Sequence, residues 1–169
     1  MRDNWETAFE KVLAHEGGYV NDPRDPGGRT NLGVTQRAWE AYVGHPVDEE
    51  FMRKLTPNVV KPFYKAMYWD KIKGDQLPSG VDYAAYDLAV NSGVGRAAKY
   101  LQELVGVKAD GSIGPASLAA IAKYDSRELL VLLCEKRLEF LQRLPTYQTF
   151  GKGWSRRVAE VKLAASEMV

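Results

Sequence analysis

Residues 5–18 read Trp5-Glu6-Thr7-Ala8-Phe9-Glu10-Lys11-Val12-Leu13-Ala14-His15-Glu16-Gly17-Gly18. Trp5, Phe9, Val12 and Leu13 recur at i, i+4, i+7 and i+8, the spacing of a helix with one apolar face. Asp3 or Asn4 is placed to cap its start, and Gly17-Gly18 is expected to close it in a left-handed turn. Glu16 follows Val12 by four residues and so ends the core-facing stripe. Apolar neighbours desolvate a carboxylate there, and the negative pole of the helix opposes its charge. Both effects favour the protonated acid, which is what a general acid needs.

Working outward, residues 19–35 carry two prolines, three glycines and several Asx residues. They forbid a long helix and predict a turn-rich loop or a small β-hairpin. The rest reads as helices. Thr35 caps one through Trp39 and Tyr42, and Glu49 to Leu55 forms a short one. Thr56-Pro57 opens another that reaches Tyr68-Trp69. Val81 to Asn91 is apolar on most sides and predicts a buried central helix. An amphipathic helix follows over Arg96 to Val105, and Pro115 starts another. Long helices at 126–143 and 154–167 finish a mainly α chain.

The composition narrows the function. With 45% hydrophobic and 27% charged residues, the chain is an ordinary globular one. A formal net charge of +1 gives no basic stripe, so no nucleic-acid partner is expected. The one cysteine, Cys134, lies in the apolar run 129–134 and reads as a buried thiol. His15 and His45 have no partners at metal-ligand spacing, so no metal is expected. Residues 1–10 mix charges among apolar residues, unlike a secretory signal. Folding in a reducing cytoplasm is therefore expected.

Glycosidic cleavage needs a protonated carboxyl group plus a second carboxylate or a held water. Asp22 and Asp25 follow Glu16 by six and nine residues, and Thr30 and Asn31 by fourteen and fifteen. Each aspartate taken alone is explained by turn formation. Together with a glutamate at a helix end they make a candidate site.

The run Glu16-Gly17-Gly18-Tyr19, Asn21-Asp22-Pro23, Asp25, Gly27-Gly28, Thr30-Asn31 and Gly33-Val34-Thr35 closely resembles the signature of glycoside hydrolase family 108. These are N-acetylmuramidases common among phage endolysins. The resemblance implies a lysozyme-like helical fold. It also implies hydrolysis of the β-1,4 bond between N-acetylmuramic acid and N-acetylglucosamine, with Glu16 as proton donor. A more distant similarity to phage-type lysozymes makes Asp25 the second carboxylate and Thr30 the holder of the attacking water. Asp22 competes for the first role, and Asn31 or Thr35 for the second.

Asp87-Leu88-Ala89-Val90-Asn91-Ser92-Gly93, Leu101-Gln102, Asp110-Gly111 and Ile113-Gly114-Pro115 look like the predicted peptidoglycan domain that follows such modules. The chain thus divides at 1–92 and 93–169, expected to pack as one compact unit. The same residues also read as caps and turns that specify the fold.

Sugars stack their apolar faces on aromatic rings while hydrogen bonds fix their hydroxyls. Tyr19, Tyr68, Trp69 and Asn91 are the further substrate-binding candidates, beside Asp22 and Asn31. Trp5, Trp39 and Phe63 fit helical stripes and read as core. The last helix carries Arg156, Arg157 and Lys162, which offers a weak contact with an anionic outer-membrane surface. Glu160 and Glu167 dilute that charge, so a docked surface helix is the expected reading. A monomer acting on bacterial peptidoglycan is expected. A lytic transglycosylase and a non-catalytic peptidoglycan-binding module are the alternatives.

Overall fold

A computed structural model describes residues 4–22 and 28–169. The chain forms two compact units, one of residues 9–67 and one of residues 1–8 with 68–169. The helix Val81–Ser92 is buried on nearly every face through Ala89 among helices of the second unit, so it belongs with them.

The first helix, α1, spans Asn4–His15. It buries Trp5, Ala8, Phe9 and Val12 on the stripe read from the sequence. Its ends differ from expectation. Asn4 is engaged elsewhere: its side-chain amide donates to Ser79 Oγ at 3.0 Å and Asp82 Oδ2 at 2.8 Å. Asp3 lies outside the described residues. Neither Gly17 nor Gly18 has a positive φ. The helix stops instead on a tightened turn, with the Glu16 amide donating to Leu13 O at 3.0 Å.

In the first unit the expected loop is a small antiparallel sheet of β1 Val20–Asn21, β2 Arg29–Asn31 and β3 Val34–Thr35, in that order. Val20 faces Thr30, Thr30 faces Thr35, and Asn31 faces Val34. Leu32-Gly33 is the two-residue turn between β2 and β3. Both residues have positive φ, 52° and 77°, the geometry that matches strand twist in a tight hairpin. Leucine is strained there, by about 1–2 kcal/mol. Three short helices follow: α2 Gln36–Val43, α3 Glu49–Arg53 and α4 Pro57–Tyr64. Thr35, Asp48 and Thr56 cap them, each accepting from a first-turn amide. Trp39, Phe63 and Tyr64 are buried, with Phe63 edge-on to Tyr64 and Phe9 against Tyr64.

The second unit is helical: α5 Val81–Ser92, α6 Val94–Val105, α7 Pro115–Lys123, α8 Ser126–Gln142 and α9 Tyr147–Met168. Helix α9 starts seven residues before its expected position. Gly151 is buried within it. A Cβ on it would stand 2.8–3.0 Å from the Tyr147 ring, so glycine makes room for that ring one turn earlier.

Two buried polar networks hold this unit. Asp87, in the apolar helix α5, meets Arg137 of α8 at 2.6 Å and Arg157 of α9 at 3.0 Å. Burial alone would raise the Asp87 carboxyl, but the two guanidinium groups outweigh it and hold it below the ordinary range. Gln102 of α6 accepts from the Gly111 amide, and its own amide nitrogen reaches Asp110 Oδ1, Ser112 O and Ser117 Oγ at 2.9–3.0 Å. The Leu-Gln and Asp-Gly motif thus fixes the 106–114 turn. Cys134 is buried as expected, and desolvation pushes its thiol up to about 11.

Candidate active site

Glu16 stands just past the end of α1, half-buried. What it faces is set by the β2–β3 turn. A Cβ placed on Gly33 would lie 2.8 Å from Glu16 Oε2, 2.9 Å from its Cδ and 2.4 Å from Tyr64 Oη. The backbone of Gly33 therefore lies directly against the carboxyl group and the tyrosine hydroxyl. Only a residue without a side chain fits, and only one that tolerates a φ of 77°. Tyr64 Oη donates to Leu32 O at 2.7 Å, which ties the strained turn to helix α4. Glu16, Gly33 and Tyr64 form one packed cluster.

A charged cluster from β2 and α3 gathers at Tyr19. Tyr19 is half-buried, with the Arg53 guanidinium 4.2 Å over its ring and its hydroxyl donating to Glu49 Oε1 at 3.4 Å. Arg53 also pairs with Glu49 at 3.0 Å, and Arg29 reaches it at 4.0 Å. The Arg53 hydrogen bond and charge, with Arg29 and Tyr19 adding, hold Glu49 below the ordinary carboxylate range. One face of Tyr19 is thus covered by a cation.

The remaining candidates separate. Asp22 is described and half-buried, whereas Asp25 lies outside the described residues. Thr30 is half-buried and shares a sheet face with Val20 and Thr35, since side chains alternate along a strand. Asn31 lies on the opposite face, 5% exposed, with its amide donating to Met52 O at 2.8 Å. It fastens β2 to the end of α3, which corrects its reading as a substrate or water ligand. Thr35 is engaged as the cap of α2, through the Ala38 amide at 3.0 Å.

In the second unit Tyr68 is half-buried and Asn91 is exposed. Trp69 is 0% exposed, packed against Trp5 and Tyr86 at 5.5 Å, with its indole donating to Asp75 at 2.9 Å. It is core, not a sugar platform. On an α-helical period Trp69 falls about 180° from buried Val60 and so reads as outward-facing. After Tyr64, however, residues Lys65–Trp69 form a π-turn, which changes the phase.

Sequence reasoning quoted Gly33 without giving it a role and missed Tyr64 altogether. The two-residue span between β-forming Asn31 and Val34 was the available signal for Gly33. For Tyr64 there was none, since its burial beside Glu16 depends on how α4 packs.

The fold is the mainly α, lysozyme-like one expected from the sequence, and two family matches make the chain a glycoside hydrolase that acts on peptidoglycan. Glycosyl hydrolase 108 matches residues 9–93, and a Predicted Peptidoglycan domain matches residues 96–159. The chain belongs to glycosyl hydrolase family 108. It is similar over 99% of its length to the solved structure of Brucella abortus SagA, with 97% of that chain covered, 42% sequence identity and a TM-score of 0.89. No curated protein matches it.

Proposed function

We propose that the chain is an endolysin-type N-acetylmuramidase in which Glu16 protonates the glycosidic oxygen of the β-1,4 bond between N-acetylmuramic acid and N-acetylglucosamine. The observation that carries this reading is the Glu16 carboxyl, presented at the end of α1 and packed against the Gly33 backbone inside the family match. A carboxyl group pinned in one place is what general acid catalysis requires. Asp25 or Asp22 supports the oxocarbenium-like centre and Thr30 holds the attacking water. Tyr19, beside Glu16 in the sequence, is a candidate ring for a sugar to stack on. Tyr68 and Asn91 are further candidates for sugar contact. The enzyme works as a monomer, needs no cofactor, and reaches the wall after synthesis in a host cytoplasm and release, as a bacteriolytic phage product would.

The test is Glu16→Gln, which keeps the shape and removes the proton. Release of fragments from purified sacculi should fall by about 10³-fold or more with an unchanged melting temperature, because the chemical step loses its acid. Mass spectrometry of wild-type products should find reducing sugar ends. Wild-type rates from Glu16→Gln would end the acid assignment, and 1,6-anhydro ends would make the enzyme a lytic transglycosylase.

A further inference from the structure

The second unit carries a groove of about 360 Å³, in which Asn91 is the residue already named, as a candidate for sugar contact. It lies at the C-terminal end of α5, the start of α6, the end of α8 and the third turn of α9. Asn91, Arg96, Phe140, Leu144 and Trp154 form its walls.

Its chemistry is one-sided. Arg96 lies with its guanidinium 4.0 Å over the Phe140 ring and donates to Ser92 O at 2.9 Å. The group is held in place while it stays exposed. Asn91 Oδ1 already accepts from Arg137 at 3.2 Å and from Ser92 at 3.3 Å, so its amide nitrogen is the end left to act, as a donor. Trp154 is half-buried and stacks on Phe150, itself 53% exposed. The lining holds a cation and no carboxylate.

The surroundings repeat the bias. Residues 137–157 hold Arg137, Arg143, Lys152, Arg156 and Arg157 against the single carboxylate Glu139, in a chain of net charge +1. Asp87 neutralises part of this through Arg137 and Arg157. Arg143, Lys152 and Arg156 are exposed, the last two on a separate groove of α9 with Tyr147 and Ser155. A ligand for this groove is therefore an anion and an acceptor, with aliphatic parts to lie on rings.

In peptidoglycan the N-acetylated glycan backbone is neutral and the carboxylates sit on the stem peptides. We propose that this groove holds a stem peptide by its carboxylates, with Arg96 and Asn91 as donors and Trp154 against its aliphatic carbons. This deepens the proposed function and rests on peptidoglycan being the substrate. A second anchor of this kind would keep the chain on peptide-bearing wall between cleavages.

The test is co-sedimentation of the full chain carrying Glu16→Gln with intact sacculi and with chitin, an insoluble neutral N-acetylated glycan that carries no peptide. Arg96→Gln and Trp154→Leu should each weaken binding to intact sacculi by about 2–5-fold, the range of one exposed contact. Neither should change binding to chitin. Free stem tetrapeptide should compete, and rising salt should weaken it. Trp154→Phe, which keeps a ring, should bind nearly as wild type does and guards against misfolding.

Equal binding of all variants to intact sacculi would overturn the proposal. So would an equal loss on chitin, which would make the ligand a sugar. Displacement by phosphatidylglycerol vesicles but not by tetrapeptide would make the surface a membrane contact and also overturn it. Calorimetry of tetrapeptide with the unmutated chain involves no bond cleavage, so failure of the Glu16 assignment leaves this outcome readable.

Discussion

Gly33→Ala is the substitution that most directly tests how the Glu16 carboxyl is held. The added methyl carbon would stand 2.4 Å from Tyr64 Oη and 2.8 Å from Glu16 Oε2, where an ordinary contact begins at 3.4 Å. Restoring that distance moves the hydroxyl by 1.0 Å and the carboxyl oxygen by 0.6 Å, since 3.4 less 2.4 and 3.4 less 2.8 give those values. The left-handed backbone costs about 1–2 kcal/mol for alanine. Lengthening the Tyr64 to Leu32 hydrogen bond costs about 1 kcal/mol more. The melting temperature should fall by roughly 4–12 °C, at about 2–4 °C per kcal/mol for a chain of this size. A reacting group displaced by this much loses about 10–100-fold in turnover.

Gly44→Ala is the control. Gly44 has φ 83° at the end of α2, and a Cβ there meets nothing within 4 Å among the described residues. It carries the same backbone strain without the collision, so it should melt about 2–8 °C lower and keep wild-type turnover. Initial rates of reducing-end release from sacculi, measured well below both melting temperatures, separate the two effects. Wild-type turnover from Gly33→Ala would refute the argument that this turn positions the acid. An equal loss from Gly44→Ala would show that strain alone lowers activity.

Other outcomes follow from the buried polar groups. Arg137→Met leaves Asp87 with one partner and should destabilise the chain by about 3–5 kcal/mol in urea unfolding. Because Asp87 titrates below its ordinary value of 3.8 in the folded chain, its contribution is complete above that pH and is lost as the pH falls through the folded value. The stability gap between wild type and Asp87→Asn should accordingly shrink in acid, and a gap that widens there would contradict the ion-pair account. Gln102→Leu strips partners from the Gly111 amide and Ser117, so a loss of about 2–4 kcal/mol is expected, read by thermal melting. Cys134, buried and pushed up to about 11, should resist a thiol reagent at neutral pH until the chain is unfolded.

Much of this was legible in the residues. Period and punctuation are local, so Trp5, Phe9 and Val12 announced α1 and its buried face, and Thr35 and Thr56-Pro57 announced the caps that the structure shows. The order of a helix, a turn-rich polar segment and then helices specified the fold class. A glutamate at the end of an apolar stripe marked the candidate acid, because helix phase alone puts it there.

Contacts between distant segments were not legible. The Asp87 ion pairs join residues 50 and 70 positions apart, and Tyr64 meets Leu32 across 32. The π-turn over Lys65–Trp69 buried Trp69 against its local period, and Asn31 was drawn into holding α3 by the register of a three-residue strand. Sequence determines what a segment prefers within a few residues, since hydrogen bonds and side-chain neighbours there are set by backbone geometry. Which side chain fills a gap left by another segment is decided only when the chain is packed, and here that step set Gly33 against Glu16.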